Sequence, residues 1–170
     1  YLYMLKDQNR MPNIPVYLDS PMAIGATDIM EKYLNEHRLG RDLCNAVTNS
    51  VTYIHSVDES KKLDQSRFPK VIIAASGMAT GGRVLHHLKQ LASDRENTIL
   101  FTGYQAGGTR GDRIRKGEKE VKTHGMMVQI NAEIDVLHNM SAHADYEEIL
   151  SWLGHMRKPP IKTFVTHGEE

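Results

Sequence analysis

The sequence predicts an α/β fold, a largely parallel sheet flanked by helices. Short apolar runs of strand length alternate along the chain with longer stretches of helical periodicity, which is the pattern of repeated βα units. The composition, 40% hydrophobic and 25% charged residues over 170 positions, is typical of one globular domain with an ordinary core. No internal repeat or low-complexity tract divides the chain.

Six apolar runs are predicted to form strands. The run near the middle of the second half alternates apolar and polar residues more than the others, which favours an antiparallel or edge pair there. Continuous apolar runs elsewhere favour buried parallel strands. The six runs are 14–18, 51–57, 70–75, 98–103, 126–137 and 161–166.

Local capping signals predict where helices begin. Ser20 followed by Pro21 is a helix start, because a serine side chain accepts a bond from a first-turn amide and proline has no amide to leave unpaired. This helix is expected to run to about residue 37. Apolar spacing predicts a second helix over 81–94, and Asp145 with Glu148 forms a capping box for a third. Proline at 159 and 160 ends that helix.

Charge, cysteine content and hydropathy exclude several classes of protein. Lysine and arginine total 21 and aspartate and glutamate also total 21, so any polyanion site depends on local placement of cations. The single cysteine, Cys44, excludes an internal disulfide and a cysteine zinc cluster. No run is long enough to span a membrane and no signal peptide is present, so we expect a cytoplasmic protein with no membrane partner. The first residue is not methionine, and the chain stops directly after an apolar run, which suggests an excerpt of a longer protein.

Two glycine-rich loops follow predicted strands. SGMATGGR (Ser76–Arg83) and GYQAGGTRG (Gly103–Gly111) offer backbone amides, hydroxyls, one aromatic ring and an arginine, a set suited to a sugar-phosphate backbone. Both would open at the same edge of a parallel sheet, where α/β proteins usually bind ligands. The alternative is that the glycines only allow tight turns, that Tyr104 covers the core and that Arg110 is solvated.

Two histidines stand at positions suited to catalysis or metal binding. His143 precedes the helix capped by Asp145, and His167 follows the last predicted strand, so a βα return would bring them together. A structural role is the alternative for each. The adjacent His86 and His87 must diverge on their helix, so at most one faces the core or a cleft, and we expect helix packing and solvent for this pair. The remaining histidines lack ligand-like spacing and are assigned no metal: 37, 55, 124, 138 and 155.

Five motifs occur in the order seen in one nuclease family. LDSPMA (Leu18–Ala23), the two glycine-rich loops, SAHAD at 141–145 and VTHGEE at 165–170 together resemble the metallo-β-lactamase ribonucleases with a β-CASP domain. The resemblance implies a Rossmann-like β-CASP domain over 1–139. It also implies that 140–170 returns into a metallo-β-lactamase domain, most of which this sequence lacks.

The resemblance implies roles for particular residues. His143 would be the catalytic histidine that assists the leaving oxygen, and His167 a zinc ligand. Phosphate contacts would be made by Ser76, Gly77, Thr109 and Ser141, with Ser20, Tyr104 and Arg110 as further contacts. Where this sequence has Asp112, relatives often carry a basic residue, and the carboxylate is expected to repel a nearby phosphate.

The family's H-x-H-x-D-H zinc cluster has no counterpart in this sequence. The resemblance implies two zinc ions in the full-length enzyme, and because one ligand cannot hold two zincs, this chain alone is expected not to cleave RNA. The implied partners are single-stranded RNA and the missing metallo-β-lactamase domain of the same protein, and a homodimer is plausible from relatives. The alternative function is a noncatalytic β-CASP scaffold that binds RNA or protein.

Overall fold

The computed structural model of the chain describes residues 1–36, 38–140 and 143–164. These residues form seven helices and seven strands. In chain order they are α1 (Leu2–Asp7), β1 (Val16–Leu18), α2 (Pro21–Lys32), α3 (Arg41–Asn49), β2 (Thr52–Tyr53), α4 (Val57–Gln65), β3 (Val71–Ile73), α5 (Val84–Leu91), β4 (Thr98–Phe101), α6 (Arg110–Arg115), β5 (Glu120–Thr123), β6 (Met126–Gln129), β7 (Glu133–Val136) and α7 (Tyr146–Gly154).

Parallel pairing dominates, which confirms the predicted fold class. Strand β1 lies between β2 and β3 and pairs with both in parallel, with Tyr17 opposite Thr52 and Ile72. Strands β4 and β7 form a second parallel pair, and β5 and β6 form an antiparallel hairpin. Among the described residues β3 and β4 therefore belong to separate sheets, so the expectation that both glycine-rich loops extend from one sheet is wrong.

The helix starts predicted from Ser20 and Asp145 are confirmed. The Ser20 side chain accepts a bond from the amide of Ala23, and Pro21 is the first residue of α2, which ends at Lys32 rather than near residue 37. Both bonds of the capping box between Asp145 and Glu148 are present at the start of α7. These contacts satisfy amides that a helix start otherwise leaves unpaired.

Most of the predicted strand 51–57 is not strand, because a helix begins at its end. Of the run 51–57 only Thr52–Tyr53 is strand, because Ser56 and Glu59 form a reciprocal capping box and α4 begins at Val57. The predicted pair over 126–137 divides in two, since 126–129 is antiparallel to β5 whereas 133–136 is parallel to β4. Residues 161–164 are not strand, and 165 and 166 lie outside the described residues.

The main hydrophobic core joins the second half of the described chain. Helix α5 contributes Leu85 and Leu88, β4 contributes Phe101, α6 contributes Ile114, and the β5–β6 hairpin contributes Val121. Both Ile114 and Val121 are completely buried. This core fixes the elements that carry the second glycine-rich loop.

Helix α7 contributes no buried residue to that core. Its apolar side chains are solvent-exposed, with Trp152 66% exposed and Leu150 59% exposed. Within the described part of the chain, no helix has the length and apolar character needed to cross a membrane.

Candidate nucleic-acid interface

The two glycine-rich loops are joined by direct hydrogen bonds. The amide nitrogen of the Gln105 side chain donates to the Gly77 carbonyl at 2.9 Å, and the backbone amide of Gly111 donates to the Met78 carbonyl at 2.9 Å. The Arg110 guanidinium donates through Nη1 to the Ala79 carbonyl. The loops after β3 and β4 therefore form one surface although their strands lie in separate sheets.

Gln105 is the centre of this junction, and sequence reasoning did not single it out. Its side chain is buried and its nitrogen also lies within hydrogen-bond distance of the carbonyls of Gly103 and Tyr104. A buried amide nitrogen that donates to carbonyls of two loops holds both backbones in place. In the sequence, Gln105 is marked only as a polar residue that follows Tyr104 and comes shortly before Gly107 and Gly108.

Gly111 allows the two loops to approach. A Cβ at this position would lie 1.8 Å from the Gln105 Oε1 atom and 3.0 Å from the Met78 carbonyl oxygen. No side chain fits there without displacing the buried Gln105 amide. Gly111 is also the second residue of α6, so a helical glycine is retained where alanine would otherwise be favoured.

Gly111→Ala and Gly25→Ala are expected to change stability in opposite directions. The first forces the loops apart and should lower the free energy of unfolding by about 1–3 kcal/mol. The second lies within α2 with no atom within 4 Å of the added Cβ, and should raise it by about 0.4–1 kcal/mol. Urea unfolding followed by circular dichroism compares the two variants. Equal effects would show that Gly111 is not a contact point between the loops.

The predicted phosphate ligands differ in how much of each side chain is already bonded. The Thr109 hydroxyl accepts from the Asp112 amide at 3.3 Å and donates to the Ala106 carbonyl at 2.6 Å. Arg110 also donates through Nε to the Lys122 carbonyl at 2.8 Å. The Ser76 hydroxyl is 3.2 Å from that of Thr80.

Three of the predicted contacts lie at the same edge of the fold. Tyr104 is 55% exposed beside the junction, and Gly77 is exposed in the first loop. Ser20 is buried at the end of β1, where it caps α2. Ser141 and His167 lie outside the described residues, so their predicted roles stay predictions.

Asp112 is turned into the protein and bonded to neighbouring donors. Its side chain is buried and accepts bonds from the Lys116 ammonium at 2.8 Å, the Arg115 guanidinium at 3.1 Å and the Gly108 amide at 3.1 Å. These donors lower the pKa of the Asp112 carboxyl to about 2, in that order of importance. The expected repulsion of phosphate is therefore wrong, because the carboxylate is turned inward and is neutralised by cations of its own helix.

A partly buried arginine connects the ends of the first three strands. Arg83, the last residue of the first glycine-rich loop, donates through Nη1 to the Asp19 carboxylate and to the Ile54 carbonyl, the latter at 2.8 Å. Its Nη2 donates to the His55 carbonyl, also at 2.8 Å. Asp19 follows β1, and residues 54 and 55 follow β2. Arg83 therefore fixes the first glycine-rich loop to the loops after both neighbouring strands.

His87 extends this buried network from α5. Its Nδ1 is 2.6 Å from Oδ1 of Asp64, and its Nε2 is 3.0 Å from Oδ2 of Asp19. The second pair is close, but neither of its two atoms has a hydrogen-bond partner among the described residues. The expectation that at most one of the two adjacent histidines faces the core is confirmed, because His86 is exposed and His87 is buried. The sequence did not predict that His87 would contact two carboxylates far apart in sequence.

Within the described ranges, no group of three or more histidine, cysteine, aspartate or glutamate side chains could hold a metal ion. His143 is exposed two residues before Asp145, the residue that caps α7. The described residues therefore do not by themselves fit a zinc centre.

Comparisons with known proteins match both parts of the chain. Residues 1–114 match the model of the Beta-Casp domain, and residues 127–170 match that of the Zn-dependent metallo-hydrolase RNA specificity domain. The predicted domain boundary after residue 139 falls inside the second match and stays a prediction.

Similar proteins include several from archaea and bacteria. The transcription termination factor FttA of Methanosarcina mazei is 33% identical over 94% of this chain, a ribonuclease of Thermus thermophilus 35% identical over 99%, and an RNase J-like protein of Methanocaldococcus jannaschii 35% identical over 94%. The chain spans 27%, 40% and 37% of the lengths of these relatives, respectively. The Beta-Casp match covers well over half of the chain, which confirms the resemblance read from the five motifs: this chain belongs to the β-CASP family of metallo-β-lactamase-type proteins.

Proposed function

We propose that this chain is the RNA-binding part of a zinc-dependent ribonuclease that hydrolyses phosphodiester bonds of single-stranded RNA. The observation that carries the proposal is the hydrogen-bonded surface formed by the loops after β3 and β4. Support also comes from similarity to a Thermus thermophilus protein named a ribonuclease. In the proposed enzyme this surface holds the RNA, and the chemistry takes place where it meets the rest of the parent protein.

The loop surface has the components that bind single-stranded nucleic acid. Tyr104 presents an exposed ring on which a base can stack, and stacking is tolerant of sequence. Exposed glycines at 77 and 107 let a backbone phosphate approach closely. The two carbonyls that Arg110 holds fix its guanidinium, so its charge adds a positive field at a set position.

The hydroxyls of Thr109 and Ser20 support the RNA surface indirectly in this proposal. Both already cap helices, so their first effect is to fix the loops whose backbone amides meet the RNA. A hydroxyl that also contacted a phosphate would have to do so while it keeps its capping hydrogen bond.

Zinc would be held mainly by residues of the parent protein that this chain lacks, with His167 as the ligand proposed here. The described residues do not form such a site on their own. His143 is proposed to deliver a proton to the departing oxygen, a role that needs an accessible imidazole. Its exposed position ahead of α7 is compatible with that role. We therefore expect the isolated chain to bind RNA without cleaving it.

Tyr104→Ala is expected to weaken binding of a fluorescently labelled single-stranded RNA to this chain by about tenfold, because stacking of a base on an aromatic ring contributes about 1–3 kcal/mol. Tyr33→Ala is the matched control, since Tyr33 is 50% exposed at the end of α2, away from the loops. Fluorescence anisotropy at fixed salt compares the three proteins. Equal affinities for wild type and Tyr104→Ala, or equal losses in the two variants, would contradict the assignment of this surface to RNA.

A further inference from the structure

Two exposed histidines from distant parts of the sequence meet on the surface. The rings of His86 and His124 have centroids 4.5 Å apart and planes inclined by 40°. Neither side chain forms a hydrogen bond or ion pair with another described residue, so the ring contact is their shared feature. The pair is separate from the buried network of His87 and from the predicted roles of His143 and His167.

Both histidines are held by rigid elements. His86 lies in the first turn of α5, between the buried residues Leu85 and His87. His124 and Gly125 form the two-residue turn of the β5–β6 hairpin, and the preceding Thr123 is completely buried. The two imidazoles are thus brought together by the fold rather than by flexible loops.

The turn does not require a histidine at position 124. His124 has φ 49° and Gly125 φ 79°, the left-handed pair typical of a tight hairpin turn. Asparagine, aspartate or glycine is preferred at the first of these positions, and a side chain there carries some strain. Packing of the hairpin therefore leaves the choice of imidazole unexplained.

The separation of the rings suits coordination of one cation by both. An imidazole nitrogen binds a transition metal at about 2.0–2.1 Å, which puts the ring centroid roughly 3.2 Å from the metal. Two centroids 4.5 Å apart then subtend an angle of about 90° at the metal. That angle is the one found between neighbouring ligands of Ni²⁺ and Cu²⁺ in square-planar or octahedral sites.

We propose that His86 and His124 form a two-histidine surface site for a divalent transition-metal ion. Neutral imidazoles supply two ligands, and water or an external oxygen fills the remaining positions. The affinity of the site is expected to follow the general order for divalent first-row metal ions, in which Cu²⁺ binds more tightly than Ni²⁺. The site lies beside the loop surface, because Arg110 bonds to the carbonyl of Lys122, two residues before His124.

The test uses the untagged chain and Cu²⁺ as a paramagnetic probe. In amide NMR spectra, substoichiometric Cu²⁺ is expected to broaden signals around residues 86 and 124 first. Titration calorimetry with Ni²⁺ then compares wild type with His86→Ala, His124→Ala and the matched control His155→Ala, an exposed histidine at the C-terminal end of α7. Each of the first two substitutions should weaken binding by about tenfold or more, and the control should not.

Two outcomes would overturn the proposal. Broadening centred on other histidines would place the ion elsewhere. Unchanged Ni²⁺ affinity in His86→Ala and His124→Ala would reduce the pair to an ordinary ring contact. His124→Asn keeps the left-handed turn and removes the imidazole, so it separates loss of a ligand from distortion of the hairpin.

Discussion

His87→Ala is expected to lower the free energy of unfolding by about 1–3 kcal/mol, because removing one member of a buried hydrogen-bonded network leaves a buried carboxylate without its partner. The side chains of Asp19 and Asp64 are 0% and 6% exposed, so neither carboxylate can recover full hydration in the variant. Asp19 would keep Arg83, but Asp64 would lose its 2.6 Å contact with the Nδ1 atom of His87.

The neighbouring His86→Ala is the matched control for this prediction. The substitution is chemically identical and lies on the same helix, but the ring is exposed, so stability should change by no more than about 0.5 kcal/mol. Urea unfolding followed by circular dichroism measures both variants. Should His87→Ala also stay within that range, the buried network would not stabilise the fold.

A double-mutant cycle tests whether the network acts as a unit. Asp19→Ala removes the carboxylate shared by Arg83 and His87, and it should destabilise the chain by a similar amount. Residues in one ionic network are coupled, so the double variant Asp19→Ala with His87→Ala should lose less than the sum of the single losses. Additive losses would mean that the 3.0 Å contact between the two side chains carries no energy.

The elements that sequence reasoning located correctly are those with local causes. The start of α2 depends on Ser20 and Pro21, and that of α7 on Asp145 and Glu148, all within one helical turn of the residues they organise. The same logic would have located α4, whose capping box joins Ser56 and Glu59. The predicted strand 51–57 includes Ser56, because its apolar pattern was given more weight than the more specific capping-box signal.

Strand partners could not be read from the sequence. The run at 133–136 alternates like an edge strand but pairs in parallel with β4, a choice made by packing against Phe101 and its neighbours rather than by the run itself. Strand β5 was missed because only Val121 and Thr123 are buried, and its exposed positions carry glutamate and lysine. Short, half-polar strands give a weak pattern and depend on their tertiary neighbours.

The candidate site was predicted at the level of loops but not at the level of atoms. Glycine-rich segments after strands identified where the RNA surface lies. The sequence could not show that the hydroxyl of Thr109 caps α6 or that Asp112 is turned inward, because these depend on which donors the fold places nearby. The contacts of His87 could not be predicted for the same reason, since Asp19 and Asp64 come from other parts of the chain.

His143→Ala in the full-length parent protein is expected to reduce cleavage of a labelled single-stranded RNA by about 10²–10⁴-fold, the usual contribution of a positioned acid or base. The expectation follows from the proposed role of this imidazole at the leaving oxygen. RNA affinity should stay close to that of wild type, because the loop surface around Tyr104 is intact. The measurement is single-turnover cleavage with added zinc, with anisotropy to monitor binding.

His138→Ala is the control for this prediction, since it removes another exposed histidine only five positions earlier. It should cleave at the wild-type rate, and the 170-residue chain alone should bind the RNA and leave it intact. If the parent binds RNA and never cuts it, the noncatalytic scaffold is the correct function and the loop surface survives as a binding site. If the parent cuts and His143→Ala cuts equally well, the nuclease assignment stands and the proton must come from another group.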